Sequence, residues 1–452
     1  MKSLITNILL FLSVCGTAIG QTTPNSQQYP ILTKSSEVGF SAERLRSIDR
    51  PQQFSKATKP SDIGFSAERL QRIDKWMQQF IDDGKAPNAV IFVARRGKIV
   101  YHKAFGYSNR EKKTPAITSN IYRIASQTKA LTSVTLMTLY EEGKFLLDDP
   151  ISKYIPAFKN PVVLVSYDTI NPASGNYKTR PAKSEITIRQ LLSHNSGIPY
   201  ETPLDVLPQF KIPYFNSLKP DKLEDAINRL GKRPLKVDPG VRFDYGLSVD
   251  VIGRLVEILS GKPLDVAIYE RVTKPLGMND TYFYLPENKK NRLVELYGKA
   301  KETDPITIST DESARMFAIS GAQTYFSGGA GMVSTAFDYA KFCQMLLNGG
   351  SFNNNQILSR KTVDLMSRNQ IGDSDLWRND KFGLGFELIT AKTKFAELAS
   401  VGAFGWGGGF CSDYLIDPKE EIVLQVITNL SPSIYFDDFN QKLKILIYQA
   451  LK

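Results

Sequence analysis

Runs rich in β-forming residues lie near both ends of this 452-residue chain, around a segment that is helical in character. Residues 88–94 and 98–101 flank a turn at Arg95-Arg96-Gly97, which predicts a hairpin. The C-terminal third has three further strand-like segments, residues 382–390, 409–417 and 421–428. One sheet must therefore gather strands from distant parts of the chain, mostly antiparallel because sequential strands are hairpin-linked. The prediction is an α+β (mixed α/β) fold, an antiparallel sheet flanked by helices, with a helical lobe from the middle.

The N-terminus predicts export. Lys2 precedes an apolar stretch over residues 4–14 and small residues up to Gly20, so residues 1–20 have the pattern of a secretory signal peptide. Lipoprotein processing at Cys15 is the alternative, but Val14 is bulky for the residue before a lipidated cysteine. No other stretch approaches the roughly 18 apolar residues of a transmembrane helix. We therefore expect a periplasmic or secreted protein without a transmembrane anchor.

A short segment is duplicated at an offset of 25 residues. Residues 36–49 return as residues 61–74, and both copies contain Gly-Phe-Ser-Ala-Glu-Arg-Leu, in which the serine is a plausible helix N-cap. Only the second copy continues into an amphipathic helix, with Leu70, Ile73, Met77 and Phe80 on one face. We therefore interpret residues 21–60 as a linker carrying the duplication and residues 61–452 as the folded domain.

Composition excludes several classes of function. The net charge is +11, but lysine and arginine are spread along the chain and no nucleic-acid module is present, so no nucleic-acid partner is expected. Beyond the signal peptide there are two cysteines, Cys343 and Cys411, which we expect to be buried and free, and no Cys/His cluster indicates a metal. No dinucleotide or Walker motif indicates a cofactor, and no Gly-x-Ser-x-Gly elbow is present. With only two histidines, His102 and His194, a serine enzyme here needs another base; His194 is interpreted as structural.

The candidate nucleophile lies in Ser126-Gln127-Thr128-Lys129, at the start of a helix predicted over residues 121–143. The first amides of a helix lack intrahelical partners, so the N–H of Ser126 is free to bind an oxyanion. A spacing of three places Lys129 on the same face, where an apolar environment would lower its pKa and make it a base. Alone the motif is weak, because a capping serine followed by a solvated lysine explains it equally well.

Further motifs supply the context. The chain resembles the serine β-lactamase-like family, which includes class C β-lactamases, penicillin-binding proteins and family VIII esterases, from Gly64 to Thr428. Phe243-Asp244-Tyr245-Gly246-Leu247-Ser248 is similar to the second motif of that family and leads into a helix predicted over residues 248–260. Trp406-Gly407-Gly408, at the lead of a strand, is similar to the third. The resemblance implies that Tyr245 is the proton shuttle and that the N–H of Gly409 is the second oxyanion donor.

Two departures from the β-lactamase pattern concern the substrate. Leu247 replaces the asparagine that contacts the β-lactam amide, and Trp406 replaces the lysine or histidine that steers the substrate carboxylate. Both changes replace polar groups by apolar surface, and Trp-Gly-Gly is what the esterase relatives show. The resemblance thus implies a serine hydrolase with an acyl-enzyme on Ser126, most simply a carboxylesterase for a small ester or amide. The alternatives are a β-lactamase or D-amino-acid peptidase acting on cell-wall peptides, and a non-catalytic binding protein. The oligomeric state is not predicted.

Loops are expected to edge this site. Residues 202–234 are rich in proline and lysine, and residues 367–380 are polar. Loops of such length tend to be functional or mobile.

Overall fold

The computed structural model describes residues 50–215, 217–394 and 398–452. Within these residues nine strands form one sheet, in the order β1-β3-β2-β9-β8-β7-β6-β5, with β4 paired to β3. All pairs are antiparallel except β1 with β3, which are parallel. The nine strands are β1 Ser55–Lys56, β2 Asn88–Arg95, β3 Lys98–Asn109, β4 Thr114–Pro115, β5 Lys381–Phe382, β6 Glu387–Leu388, β7 Phe404–Gly408, β8 Ser412–Asp417 and β9 Ile422–Ile427.

The sheet joins the two ends of the chain at its centre. Strand β2 pairs with β9 over six residues, from Val90 to Arg95. Alternate β2 side chains enter two cores, Val90 and Phe92 on one face and Ile91 and Val93 on the other, all fully buried. A strand buried on both faces reads as a continuous apolar run, which is the pattern that predicted it. The mixed α/β class and the antiparallel sheet are confirmed.

Ten α-helices flank this sheet in the described part of the chain. Helices α1 and α10 cover one face, where the predicted apolar stripe of α1 is buried. Ser66 caps α1 by accepting a hydrogen bond from the N–H of Arg69, 3.2 Å away. The ten are α1 Ala67–Asp82, α2 Thr128–Glu141, α3 Ile188–Leu192, α4 Leu223–Lys232, α5 Ser248–Ser260, α6 Leu264–Ile268, α7 Glu312–Met316, α8 Ala336–Leu347, α9 Arg360–Met366 and α10 Phe436–Tyr448.

Helix α2 is the central element of the helical lobe on the other face. Its residues 128–139 are all buried, so the helix is enclosed on every side by apolar partners. Small sheets of short paired strands connect the surrounding loops. The pairs are Tyr122–Arg123 with Val333–Ser334, Val162–Tyr167 with Tyr177–Pro181, Ser351–Phe352 with Asn355–Gln356, and Tyr297–Lys299 with both Leu430–Ser433 and Thr307–Ile308.

Three predicted elements differ from the structure. Residues 121–127 do not belong to the predicted helix over 121–143, since an extended pair and a 3₁₀ turn precede α2. The strand predicted over 382–390 is a hairpin of two short strands, β5 and β6, because a turn containing Gly383 and Gly385 divides it. The strand predicted over 409–417 begins only at Ser412, and residues 404–408 form a separate strand, β7.

The folded body begins at Arg50, earlier than the domain start predicted at Ser61. Strand β1 adds to the edge of the sheet, and the Phe54 ring packs edge-on against Phe92 with centroids 5.0 Å apart. Residues 50–60 are therefore part of the folded body rather than of a linker, and Phe54 packs against the core. The first copy of the duplicated segment and the predicted signal peptide lie outside the described residues.

Two further observations concern the described residues. None of their helices is both long and apolar enough to cross a membrane. Cys343 and Cys411 are buried free thiols, as predicted.

Candidate active site

A strained turn presents Ser126 at the start of α2. Tyr122–Arg123 is held by its pairing with Val333–Ser334, and Ala125 then adopts φ +43°, a left-handed conformation that is rare for a residue with a Cβ. Ser126 follows in the 3₁₀ turn Ala125–Gln127 that leads into α2. The turn leaves the Ser126 side chain half-buried and accessible, with its N–H at a helix start where no intrahelical partner exists.

Lys129 is a buried cation with three acceptors. Its Nζ lies 3.2 Å from Ser126 Oγ, 2.6 Å from Tyr200 Oη and 2.7 Å from the carbonyl oxygen of Gly329. An ammonium has three N–H donors, so the three contacts satisfy it fully. Burial alone would lower the pKa of Lys129, but the neighbouring Tyr200, Tyr245 and Asp250 raise it above its ordinary value. The prediction of a lowered lysine pKa is therefore wrong: these acceptors favour the ammonium form.

Asp250 fixes the Gly329 peptide that holds Lys129. Its Oδ1 accepts from the N–H of Gly329 at 3.1 Å and from Ser327 Oγ at 2.7 Å. A Cβ on Gly329 would lie 2.4 Å from Asp250 Oδ2, so only glycine allows this approach. Burial raises the pKa of Asp250, and the charge of Lys129 opposes that rise. Asp250 and Lys129 thus form a buried pair linked through Gly329, whose N–H binds the carboxylate and whose carbonyl oxygen accepts from the ammonium.

Tyr245 faces Lys129 from the loop before α5. Lys129 Nζ lies 4.8 Å from the centre of its ring, and Trp406 Nε1 donates a hydrogen bond to Tyr245 Oη at 3.1 Å. The loop runs close to Ile198, because a Cβ on Gly246 would lie 2.1 Å from the Ile198 carbonyl oxygen. The phenol oxygen of Tyr245 is thereby held as a hydrogen-bond acceptor beside a cation.

The predicted oxyanion donors lie on either side of one opening. Trp406, Gly407 and Gly408 belong to β7, and Gly409 begins the exposed turn after it. A Cβ on Gly408 would lie 2.5 Å from the Ile124 carbonyl oxygen, so glycine lets β7 approach the segment before the nucleophile. Ser126 and Gly409 both line the same two cavities, as a pair of oxyanion donors requires.

Two cavities meet at Ser126 and Gly409. The first has a volume of about 410 Å³ and is lined by Tyr245, Trp377 and Trp406 near the nucleophile. The second has a volume of about 240 Å³ and lies beside Tyr200, Tyr214 and Phe215. Their walls include residues from both predicted edge loops. The site therefore offers two separate cavities on either side of the same serine.

One predicted site residue lies elsewhere. Leu247 is fully buried in the core at the start of α5 and lines neither cavity, so its assignment to substrate binding is wrong. Two residues were missed by sequence reasoning, Tyr200 and Asp250. Asp250 could have been noticed as a carboxylate among the apolar residues of a predicted helix, whereas nothing in the sequence around Tyr200 connects it with Lys129.

His194 packs among the rings of Phe243, Tyr245 and Phe382 and should make the stability of the fold depend on pH. Its ring lies 4.8 Å from that of Tyr245, and neither ring nitrogen has a hydrogen-bond partner among the described residues. Burial, with the charge of Lys129, lowers its pKa well below the ordinary value. The unfolded chain therefore takes up a proton below pH 6.5 that the fold excludes, and stability falls as pH falls.

We expect His194→Phe to remove this dependence. The loss of stability between pH 7.5 and pH 5 should shrink by about 2 kcal/mol, which is the proton uptake of one unfolded histidine. Urea denaturation at both pH values measures it. Phenylalanine at the backbone φ of +56° lowers the free energy of unfolding by the same amount at both pH values, so it does not affect the comparison. An unaltered pH dependence would show that His194 is protonated in the fold.

The sheet, the helical lobe and a serine–lysine–tyrosine cluster at their junction define the class of serine hydrolases with the β-lactamase fold. The family model described as Beta-lactamase matches residues 73–448. The chain belongs to this family.

Relatives in this family have different names. Esterase EstB of Burkholderia gladioli is 27% identical over 78% of this chain and 88% of its own length. A protein of Escherichia coli K12, provisionally named a D-alanyl-D-alanine carboxypeptidase, is 27% identical over 90% of this chain and 87% of its own. Among solved structures, EstCE1, titled a hydrolase with promiscuous acyltransferase activity, matches with a TM-score of 0.67 and 26% identity over 84% of this chain and 97% of its own.

Proposed function

We propose that this protein is an exported serine hydrolase of the carboxylesterase type that acts through an acyl-enzyme on Ser126. The observation that carries the proposal is the hydrogen bond from Trp406 Nε1 to Tyr245 Oη. In the third motif it places a neutral indole, rather than the lysine or histidine of β-lactamases, against the tyrosine beside the nucleophile. Trp377 adds a second indole to the same wall, with ring centres 5.7 Å apart. Such a wall favours an uncharged ester over a carboxylated β-lactam.

Acylation begins when the phenolate form of Tyr245 takes the proton of Ser126. The Trp406 N–H and the ammonium of Lys129 stabilise the negative charge that this oxygen carries before the transfer. Ser126 Oγ attacks the ester carbonyl, whose oxygen is held by the N–H groups of Ser126 and Gly409. Lys129 acts here as a fixed cation, because its three N–H groups are already bound to acceptors.

Collapse of the tetrahedral intermediate breaks the ester bond. Tyr245 returns the proton to the leaving alcohol, and the acyl group stays on Ser126. Water then attacks the acyl-enzyme with Tyr245 taking its proton, and Tyr245 passes that proton to Ser126 Oγ as the acid is released. No metal or cofactor takes part in either step.

A substrate panel tests this proposal directly. We expect purified protein to hydrolyse short-chain p-nitrophenyl esters with kcat/KM at least about 100-fold above that for a chromogenic cephalosporin, a factor equivalent to about 2.7 kcal/mol. A D-alanyl-D-alanine peptide provides the third substrate. Mass spectrometry after a fluorophosphonate ester should find the adduct on Ser126.

Each other outcome favours a stated alternative. Faster cephalosporin turnover would identify a β-lactamase, and release of D-alanine would identify a cell-wall peptidase, the reaction named for the E. coli relative. Ligand binding without turnover of any substrate, unaffected by Ser126→Ala, would identify a non-catalytic binding protein.

Export is proposed from the sequence of residues 1–20. In a bacterial host that secretes through the same pathway, the mature protein should appear outside the cytoplasm with Gln21 as its first residue. N-terminal sequencing measures this, and a lipid-modified Cys15 at the N-terminus would instead establish the lipoprotein alternative.

Trp406→Phe isolates the indole hydrogen bond. The ring still fills the wall, but Tyr245 Oη loses its donor, so ester kcat should fall about 5- to 10-fold, which corresponds to one hydrogen bond. KM should change less than twofold because the apolar surface remains. Trp76→Phe, on the opposite face of the sheet, is the matched control. Full kcat in Trp406→Phe would show that the indole N–H does not serve the reaction.

A further inference from the structure

The first cavity changes character with distance from Ser126. Near the nucleophile it is aromatic, and its far side is made by five polar residues that we call the polar wall: Arg378, Glu387, Asp413, Asp437 and Asn440. They come from the loop before β5, from β6 and β8, and from the start of α10. Phe436 of α10 closes the cavity over β7, where a Cβ on Gly407 would lie 3.0 Å from its ring.

Carboxylates outnumber cations in this wall. Arg378 Nη2 lies 3.0 Å from Glu387 Oε1, and Arg378 Nη1 lies 3.9 Å from Asp437. Arg378 also contacts Asp380 behind the wall, while Lys444 binds Asp413 at 2.7 Å. Four carboxylates thus surround two cations. Burial and the contact with Asp380 raise the pKa of Glu387 to about 7, and burial also raises the pKa of Asp413 against the charge of Lys444. With one proton shared among the four carboxylates, the group remains negative.

Asn440 shows that the wall is built for a ligand. Its side chain is 4% exposed and lines the cavity, yet neither its amide nitrogen nor its oxygen has a hydrogen-bond partner among the described residues. A buried amide without partners is destabilising, and a ligand that supplies them removes that penalty. Its place three residues after Asp437 in α10 puts both side chains on the same face of the helix. The carboxylate of Asp437 and the amide oxygen of Asn440 could both accept hydrogen bonds from the N–H groups of one ligand.

The position of Tyr245 decides which half of the substrate enters. In the proposed reaction Tyr245 protonates the leaving group, so the leaving group must lie on its side of the scissile bond. Tyr245 lines the first cavity and not the second. The first cavity therefore takes the leaving alcohol or amine, and the second takes the acyl group.

We propose that the polar wall binds a primary ammonium group carried by the leaving group of the substrate. The inference deepens the proposed function and rests on it for the direction of the substrate. Arg378 offers no surplus charge to an anion, since three carboxylates already surround it. The aromatic surface of Trp377 and Trp406 suits the apolar linker between the scissile bond and the ammonium group. The same rings can bind the ammonium group by cation–π contact as the substrate enters.

A matched set of aryl acetates tests the inference. The acetates of 4-(aminomethyl)phenol, 4-ethylphenol and 4-(carboxymethyl)phenol share an acyl group and a ring, and the first two differ mainly in charge. Each kcat/KM is divided by the spontaneous hydrolysis rate, which removes differences in leaving-group reactivity. We expect the wild-type protein to prefer the ammonium ester over the neutral one by about tenfold, the effect of one charge-assisted contact.

Two variants locate the preference. Asp437→Asn and Asn440→Leu should each lower it by threefold or more while leaving hydrolysis of the 4-ethylphenyl ester within twofold. Asp438→Asn is the matched control, because this neighbouring residue pairs with Lys442 and does not line the cavity. It should leave the preference unchanged.

Calorimetric binding of the two free phenols to Ser126→Ala separates the two proposals. Tighter binding of 4-(aminomethyl)phenol than of 4-ethylphenol, lost in Asn440→Leu, supports the ammonium site even if no ester is hydrolysed, in which case the proposed function fails. Hydrolysis of the neutral ester without charge preference overturns the inference and leaves the proposed function standing. Preference for the carboxylate ester also overturns it, by showing that Arg378 receives an anion.

Discussion

Ser126→Ala is expected to lower kcat for p-nitrophenyl esters by at least about 10³-fold, since loss of a serine nucleophile removes the atom that carries the acyl group. Tyr200 does not replace it, because its Oη is bound to Lys129 at 2.6 Å and burial raises the Tyr200 pKa above its ordinary value, which keeps it a phenol. Steady-state release of p-nitrophenol measures the effect. The adduct with a fluorophosphonate should disappear at the same time.

Ser133→Ala provides the matched control on the same helix. The Ser133 hydroxyl is buried and without a hydrogen-bond partner in the described part of the chain, so its removal should leave both turnover and folding intact. Ester turnover by Ser126→Ala at the wild-type rate would place the nucleophile elsewhere and end the proposal.

Lys129→Met should have the second largest effect, a fall in kcat of about 10²–10⁴-fold. Methionine is also unbranched, and it replaces a buried cation by an apolar chain, so the helix should still pack. What is lost is the positive charge beside Ser126 and Tyr245. Tyr200 Oη and the Gly329 carbonyl also lose their donor, and Asp250 is left as a buried acid without its cation, so we expect a lower melting temperature as well.

Lys144→Met is the control that shows whether the loss of any lysine charge near α2, rather than the loss of the Lys129 ammonium in the site, lowers kcat. Lys144 lies just beyond the end of α2, where it binds Glu142 at 3.0 Å in a half-exposed pair, and its loss should change neither kcat nor melting temperature appreciably. If Lys129→Met kept near wild-type turnover, the ammonium would be a structural cation only and the proton route through Tyr245 would need another source of stabilisation.

The elements that were predicted well are those whose own residues contain the pattern typical of the helix or strand. Helix Ser248–Ser260 was predicted with its observed bounds, because its apolar period is uninterrupted and Gly261 ends it with a φ of +68°. Strand β9 was also predicted, because five of its six residues are apolar and only Gln425 is polar. Residues 121–124, by contrast, contain no local signal against a helix; they are extended because Tyr122–Arg123 pairs with Val333–Ser334, which is distant in sequence.

The same distinction applies to the site. Ser126, Lys129 and Tyr245 stand in motifs whose spacing can be read, and the structure brings them together. The role of Tyr200 depends on the loop after Pro199 folding back over Lys129, which no spacing encodes. Leu247 was misplaced because its neighbour Tyr245 points to the cavity, and a residue two positions further along the turn into α5 points to the core instead.

The central pairing of β2 with β9 also dictates when the protein becomes an enzyme. Ser126 and Lys129 leave the ribosome early, whereas Gly409 is synthesised nearly 300 residues later. At bacterial rates of synthesis this is a delay of roughly 15–60 s. Until then β2 has no partner on its inner edge and the nucleophile has only one oxyanion donor. Long-range pairings of this kind also fold slowly. Synthesis of the C-terminal strands therefore acts as a timer, and the complete site can form only once those strands have been made.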